Sequence, residues 1–421
     1  MRNFLKPVST TLSKLCYLFF TSMMPFLFSE MDLTIVGFLE PEGGIGKVPI
    51  TIVEALNGKV SANFISTLQQ VVKFEIPARM MNCLHNNDHT PGNIAILTEP
   101  VCHFHTDPYA HIPKDCKIKI AFSMLETTKI PTIWVKALNE KYDAVIVPDP
   151  YLKKVYFNSG VTIPIFVLPM PMVLGSFLAS PIHSTHSSRS FVFGDASANK
   201  NPAVLIRAFA KAFGNDPNYQ LAFRAGVIMP ETKKIINDLT HELGLSNVTF
   251  ESGHITEENF IKKLLSYDCY VNLSRGEGFS LIPREALALG LPVIITDNTA
   301  STTICKSGCV RAVPSIKKGP CNSCYQLLFH ENCGKQFDCE VDDVVEALLD
   351  MVTNYDKYKK LARQGRKWVQ QYDAANPDLQ ALYLTLVKPN KVILGKKDKI
   401  TDSYIMTTSK KLYQKYMQVM H

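Results

Sequence analysis

At 421 residues the chain is long enough for two domains of ordinary size, and 46% hydrophobic with 20% charged residues is the make-up of a globular protein rather than a disordered or fibrous one. The formal net charge of +7 is uneven: from Lys388 to His421 eight lysines face two aspartates, and the other 387 residues are nearly neutral. So local a basic stretch argues against a nucleic-acid enzyme and reads as a solvated tail or a segment resting on an anionic membrane.

In residues 1–30, Arg2, Lys6 and Lys14 precede the apolar run LCYLFFTSMMPFLF. That run is too short to span a bilayer comfortably, and it has the charge-then-apolar order of a signal peptide. FLFSEMD lacks a small-x-small cleavage pattern. Three readings stay open: an anchor or uncleaved signal, an upstream start with Met31 the true first residue, or a packed helix.

MDLTIVGFLEPEGGIGKVPITIVEALNG, from Met31, reads as strand, glycine-rich loop and helix. GGIGK suggests the phosphate loop of an ATPase. That motif needs Ser or Thr after the lysine, where this chain has Val48, and an earlier glycine where it has Pro41. Gly43, Gly44 and Gly46 are better read as a tight turn or as points of close backbone approach.

From Phe64 to Gly160, NIAILTE, IKIAFSM and DAVIVP are strand-like and IPTIWVKALNEKY is helical. Such alternation predicts a parallel sheet with helices on both faces. His103, His105 and His111 fall close together, but no Cys or carboxylate spacing completes a metal set. Residues 171–190 lose periodicity and are rich in Ser, His and Pro, as a linker would be. SFVFGDASANKNPAVLIRAFAKAF then gives strand, polar loop and an amphipathic helix with Val204, Leu205, Ala208, Phe209 and Phe213 on its apolar face. A strand ends near Gly253, and Thr256 ahead of Glu257 and Glu258 reads as a helix cap.

The most informative stretch is DCYVNLSRGEGFSLIPREALALGLPVIITD, Asp268 to Asp297. It reads as strand, glycine-containing loop, short helix and strand, with Pro283 in the helix's first turn, Gly290 just past its end and Pro292 beyond. Such a helix starts with free N–H groups and the positive end of its dipole at the C-terminal edge of a sheet, which suits phosphate. Glu277 in the loop and Glu285, placed in the first helical turn, are separated by seven residues. As carboxylates they would repel a phosphate but accept hydrogen bonds from hydroxyl groups on either side of it. A ligand with sugar, diphosphate and ribose in that order is a nucleotide sugar.

SRGEGFSLIPREALALGLPVI closely resembles the donor-site signature of retaining glycosyltransferases of family 4. The resemblance covers roughly residues 31–375 and implies an α/β chain of GT-B fold: two Rossmann-like domains facing a central cleft. Residues 1–30 would precede an acceptor domain at 31–172. A linker at 173–190, a donor domain at 191–375 and C-terminal helices with a basic tail at 376–421 would follow.

By the same resemblance Glu285 holds ribose hydroxyls and Glu277 those of the transferred sugar. Lys200 and the backbone N–H groups of Gly278, Phe279, Ser280 and Leu281 meet the diphosphate, and the backbone at His254 and Ile255 meets the base. Gly44 and Gly46 let the opposite domain approach the donor. The sequence departs from the family in two places. Glu126, in MLETT, stands where many members carry a histidine against the sugar, so Glu126 is expected to contact sugar or acceptor. Asp195, Ser197 and Asn199 occur where many members have an arginine for phosphate; Arg275 is either a substitute or a salt-bridge residue.

The implied activity is retaining transfer of a hexose from a UDP- or GDP-sugar to a glycan or lipid-linked acceptor, without cofactor or metal. The location implied is the cytoplasm, with a peripheral membrane contact. The rival reading is a degenerate GT-B protein that binds a nucleotide sugar or serves as a scaffold. Six of the eleven cysteines lie between Cys305 and Cys339, and CNSC with Cys333 and Cys339 leaves zinc, disulfides or free thiols in a loop as alternatives.

Overall fold

The computed structural model describes residues 32–40, 44–68, 76–85, 91–101, 107–184, 190–197, 200–321, 329 and 331–387. The signal-like segment, Gly43, His103, His105, Asn199, Cys324 and the basic tail lie outside the described residues.

The chain builds two six-stranded sheets, parallel throughout. The first holds β1 (Leu33–Gly37), β2 (Ala62–Ser66), β3 (Ile94–Leu97), β4 (Ile118–Phe122), β5 (Ala144–Val147) and β6 (Ile165–Val167), in the order β2-β1-β3-β4-β5-β6. The second holds β7 (Phe191–Asp195), β8 (Tyr219–Ala225), β9 (Val248–Ser252), β10 (Cys269–Asn272), β11 (Val293–Asp297) and β12 (Arg311–Pro314), in the order β12-β11-β10-β7-β8-β9. Strands such as IAIL, AVIV and CYVN are buried along their whole length because helices cover both faces. In each sheet the strand order reverses once, between β1 and β3 and between β7 and β10. The crevice outside the carboxyl ends of the strands at such a reversal is where open α/β sheets bind ligands.

The two halves are tied together at one edge. Met172 donates its N–H to the Tyr372 carbonyl, and Ala374 donates back to the Met172 carbonyl, both at 2.7 Å. The helix Pro377–Val387 then packs on the helix Val48–Leu56 of the first half and buries Leu379, Leu382, Tyr383, Leu386 and Val387. The Tyr383 hydroxyl donates to the Pro169 carbonyl at 3.0 Å. Each such apolar side chain contributes roughly 1.5–3 kcal/mol on burial, so the crossing helix is a substantial clamp. Residues 171–184 are more ordered than the composition of the linker suggests. They carry the short helix Gly175–Ala179, and His183 is buried, with its N–H on the Leu289 carbonyl and its ring against the Tyr267 carbonyl.

Of the clustered cysteines, Cys305, Cys309 and Cys339 are free thiols. Burial pushes Cys333 up to about 11 and Cys339 up to about 12, which keeps both protonated and unreactive at neutral pH.

Candidate functional site

The reversal between β7 and β10 brings two loops together. β7 ends on Asp195 and the loop after it carries Lys200, while the loop after β10 carries Ser274 to Ser280 and opens the helix Leu281–Ala288. That helix begins two residues before Pro283, so Glu285 lies one turn in rather than in the first turn. Proline is tolerated there because the first N–H groups of a helix have no intrahelical partner.

Ser280 caps the helix with φ +63° and Thr299 has φ +46°, both unusual for residues with a side chain. The conformation is held from behind. The Ser280 hydroxyl meets that of Ser301 at 2.9 Å, and the Glu277 N–H donates to the Thr299 hydroxyl at 2.8 Å. Arg284, fully buried, donates to the carbonyls of Phe279 and Ser280. Its guanidinium lies 3.9 Å from the Phe279 ring centroid and 4.6 Å from that of Tyr372. With the loop's carbonyls drawn onto Arg284, the strain is paid at a place where strain is commonly functional.

The first sheet presses directly on this loop. A side-chain carbon on Gly276 would meet the Glu126 carbonyl oxygen at 2.0 Å, and one on Gly278 would meet the Met124 sulfur at 2.9 Å. Lys200 donates to Glu126 Oε1 at 2.7 Å and lies 3.5 Å from Glu277 Oε1, so one ammonium joins carboxylates from both halves. Burial works against the Lys200 charge, but Glu126 and then Glu277 outweigh it and raise its pKa. Burial likewise raises Glu277, against the pull of Lys200.

Asp195 is more perturbed. It is buried at the end of β7, and burial pushes its carboxyl up to about 7, although the backbone and hydroxyl of Ser197 both donate to Oδ1. Its Oδ2 has no partner among the described residues. In the sequence Asp195 stands out only as one of the polar residues found where many family members have an arginine. The available signal was an acid on the last residue of a strand buried at its carboxyl end.

On the other side of the helix start, Glu285 is buried, and its Oε1 accepts from Lys47 Nζ of the first half at 3.1 Å. Gly44 lies over the helix start, where a side-chain carbon would touch Leu281 at 3.8 Å. Gly46 has a different reason to be glycine: a side-chain carbon there would meet the Glu40 backbone at 2.5 Å. A further contact across the cleft joins Thr303 to Asp149 at 2.6 Å.

Arg275 resolves to the salt-bridge alternative. Its guanidinium binds Asp338 at 2.5 Å and the Pro320 carbonyl at 2.9 Å, which ties the loop to the hairpin Lys317–Pro320/Lys335–Asp338 instead of offering a second phosphate cation. His254 is exposed and Ile255 half-buried just beyond β9. The turn there is set by Gly253 at φ +127°, whose carbonyl accepts from Arg224 at 2.7 Å. Thr256 caps the following helix by accepting from the Asn259 N–H at 3.3 Å. Among the described residues no group of three or more His, Cys, Asp or Glu could hold a metal ion, and no helix is long and apolar enough to cross a membrane.

Comparison with known proteins agrees with this architecture. The cyanobacterial sucrose-phosphate synthase of Thermosynechococcus elongatus superposes with a TM-score of 0.57 at 14% identity, over 92% of this chain and 99% of that one. The fold is GT-B. Anabaena HepE, solved in complex with UDP and glucose, shares the GT-B fold with a TM-score of 0.57 at 10% identity, over 85% of this chain and 99% of that one. An E. coli trehalose-6-phosphate structure bound with UDP-2-fluoro glucose gives 0.58 at 10% identity, over 85% and 98%. The family model for glycosyl transferases group 1 matches residues 184–311, which contain β7 to β11 and the first residue of β12. An uncharacterized glycosyltransferase of Methanocaldococcus jannaschii is 34% identical over 122 residues, 28% of this GT-B chain and 27% of the length of that relative.

Proposed function

We propose that the chain is a retaining glycosyltransferase that moves a hexose from a nucleoside diphosphate sugar to an acceptor hydroxyl of a glycan or glycolipid. The observation that carries this reading is the convergence, at one sheet reversal, of a free helix N-terminus with Lys200, Glu277 and Glu285. UDP as the nucleotide is supported by the similar structures solved with UDP and glucose and with UDP-2-fluoro glucose; GDP is the alternative.

In this reading the ribose hydroxyls donate to Glu285 and the hydroxyls of the transferred sugar donate to Glu277. The diphosphate lies on the N–H groups of residues 278–281 and near Lys200, which stabilise charge as it develops on the leaving group. The base lies against the backbone at His254 and Ile255. The bond from the anomeric carbon to phosphate oxygen breaks while the acceptor oxygen bonds to the same face. The acceptor's proton passes to the departing phosphate, so no side-chain nucleophile is required. Glu126, on the loop from the first half, faces the sugar or the acceptor. Neither metal nor cofactor enters this scheme. A cytoplasmic location, with a peripheral membrane contact through the lysine-rich 388–421 stretch, belongs to the same proposal.

Calorimetric titration with UDP, GDP and ADP and their hexose conjugates, on wild type and Glu285→Ala, tests it. One nucleotide should bind the wild type and lose about tenfold or more in the variant, since a hydrogen bond to a charged group is worth roughly 1.5–3 kcal/mol. A folded protein that binds none of them would refute the reading. Binding without turnover on mixed acceptors would favour the scaffold alternative.

A further inference from the structure

The donor site so described is short of positive charge. Lys200 is already shared between Glu126 and Glu277, and Asp195 adds a third carboxyl close by. Arg275 is engaged by Asp338 and Pro320, and Arg284 is sealed among Phe279, Tyr372 and Trp368. A diphosphate brings several negative charges into a partly buried cleft, where unpaired charge is expensive.

Lys47 supplies what is missing. Its backbone is fixed by the helix Val48–Leu56, whose Thr51 N–H donates to the Lys47 carbonyl at 3.0 Å. Its side chain crosses the cleft to Glu285 Oε1 at 3.1 Å, while Glu285 Oε2, on a residue only 5% exposed, has no partner among the described residues. The loop that carries Lys47 lies over the start of the 281–288 helix, where a side-chain carbon on Gly44 would come within 3.8 Å of Leu281. The lysine's partner, Glu285, lies one helical turn from the N–H groups that would receive phosphate.

We propose that Lys47 is an exchange cation of the donor site, paired with Glu285 when no nucleotide is present and with the diphosphate when one is bound. The inference rests on the functional reading above. A ribose diol brings two hydroxyl donors; the open Glu285 Oε2 can take one, and the other competes with Lys47 for Oε1. The ammonium, on a flexible four-carbon stem, is then freed beside the phosphates, and moving onto them keeps it paired. The first half thereby contributes a second cation to the donor, beside Lys200 of the second half.

The test compares a nucleoside diphosphate with its own nucleoside, for instance UDP with uridine, by calorimetry on wild type, Lys47→Gln and Lys47→Arg. Lys47→Gln should weaken the diphosphate about tenfold or more and leave the nucleoside unchanged or tighter, because Glu285 no longer has a competitor. Lys47→Arg should keep diphosphate affinity within about threefold, since its charge can still reach phosphate. A Lys47→Gln protein that binds the diphosphate as well as or better than wild type would overturn the inference and make Lys47 only a plug on Glu285. Equal losses for nucleoside and diphosphate would overturn it too, as they would assign Lys47 to holding Glu285 in place. If wild type binds no nucleotide at all, the functional reading fails and this inference falls with it.

Discussion

Lys200, on the loop after β7, and Glu126, on the loop after β4, form a 2.7 Å ion pair that crosses the cleft between the two sheets. The pair uses up the cation that a donor phosphate would seek. Glu126→Gln removes the competing charge and keeps the side chain's size, so nucleoside diphosphate affinity should rise about three- to tenfold at low salt, an effect that added salt should shrink. In the proposed scheme Glu126 also faces the sugar or the acceptor, so turnover should fall while the donor binds better. Calorimetry beside initial rates would show this split between KM and kcat.

Gly276 limits how closely the halves approach. In Gly276→Ala the new carbon would lie 2.0 Å from the Glu126 carbonyl oxygen, a backbone atom that cannot swing aside. The loop must shift, at a cost of about 1–3 kcal/mol, and the Lys200–Glu126 geometry with it. Activity should drop at least about tenfold. Gly175→Ala, which has open space around it, should change neither activity nor melting temperature and serves as the control.

Asp195 makes stability depend on pH in an unusual direction. Its folded pKa, pushed up to about 7 by burial, exceeds the ordinary carboxyl value of 3.8, so between these values the folded protein holds a proton that the unfolded chain has released. Folding is therefore favoured most at the acid end of that window and weakens as pH rises toward 7. Asp195→Asn removes the ionisation and can still accept from Ser197. It should raise the melting temperature at pH 8 by at least about 2 °C and have a smaller effect at pH 5. Equal shifts at the two pH values would show that Asp195 does not ionise on unfolding.

Arg284 is a buried cation with aromatic faces and backbone carbonyls around it. Arg284→Met fills similar space but releases the Phe279 and Ser280 carbonyls, leaving them buried without a donor. The variant should lose about 2–4 kcal/mol in chemical denaturation, and the nucleotide affinity of any folded fraction should fall as the Ser280 cap relaxes. Arg284→Lys should recover only part of the loss, because an ammonium does not stack flat on Phe279 and Tyr372.

Much of this was legible in the residue string because it is local. The period-two and continuous apolar runs of β1, β3, β5 and β10 mark buried parallel strands without reference to distant residues. The Thr256 cap and the glycine loop with its helix at 274–288 are likewise written in consecutive residues. What failed locally was the exact helix start, since Pro283 marks a first turn but not which of its positions it occupies. The linker's composition also hid a packed His183, whose partners Leu289 and Tyr267 are far away in sequence.

The sequence by itself determined the alternation of strands and helices, and the placing of two carboxylates around a phosphate-ready helix start. Both follow from side-chain period and backbone preference over a few residues. Only the tertiary structure decided which charges meet. Lys47 with Glu285 are 238 positions apart and Lys200 with Glu126 are 74 apart. Whether Arg275 turns toward phosphate or Asp338 depends on a hairpin 63 positions on. Ion pairs depend on distance and burial in space, and neither is set until the two sheets close on one another.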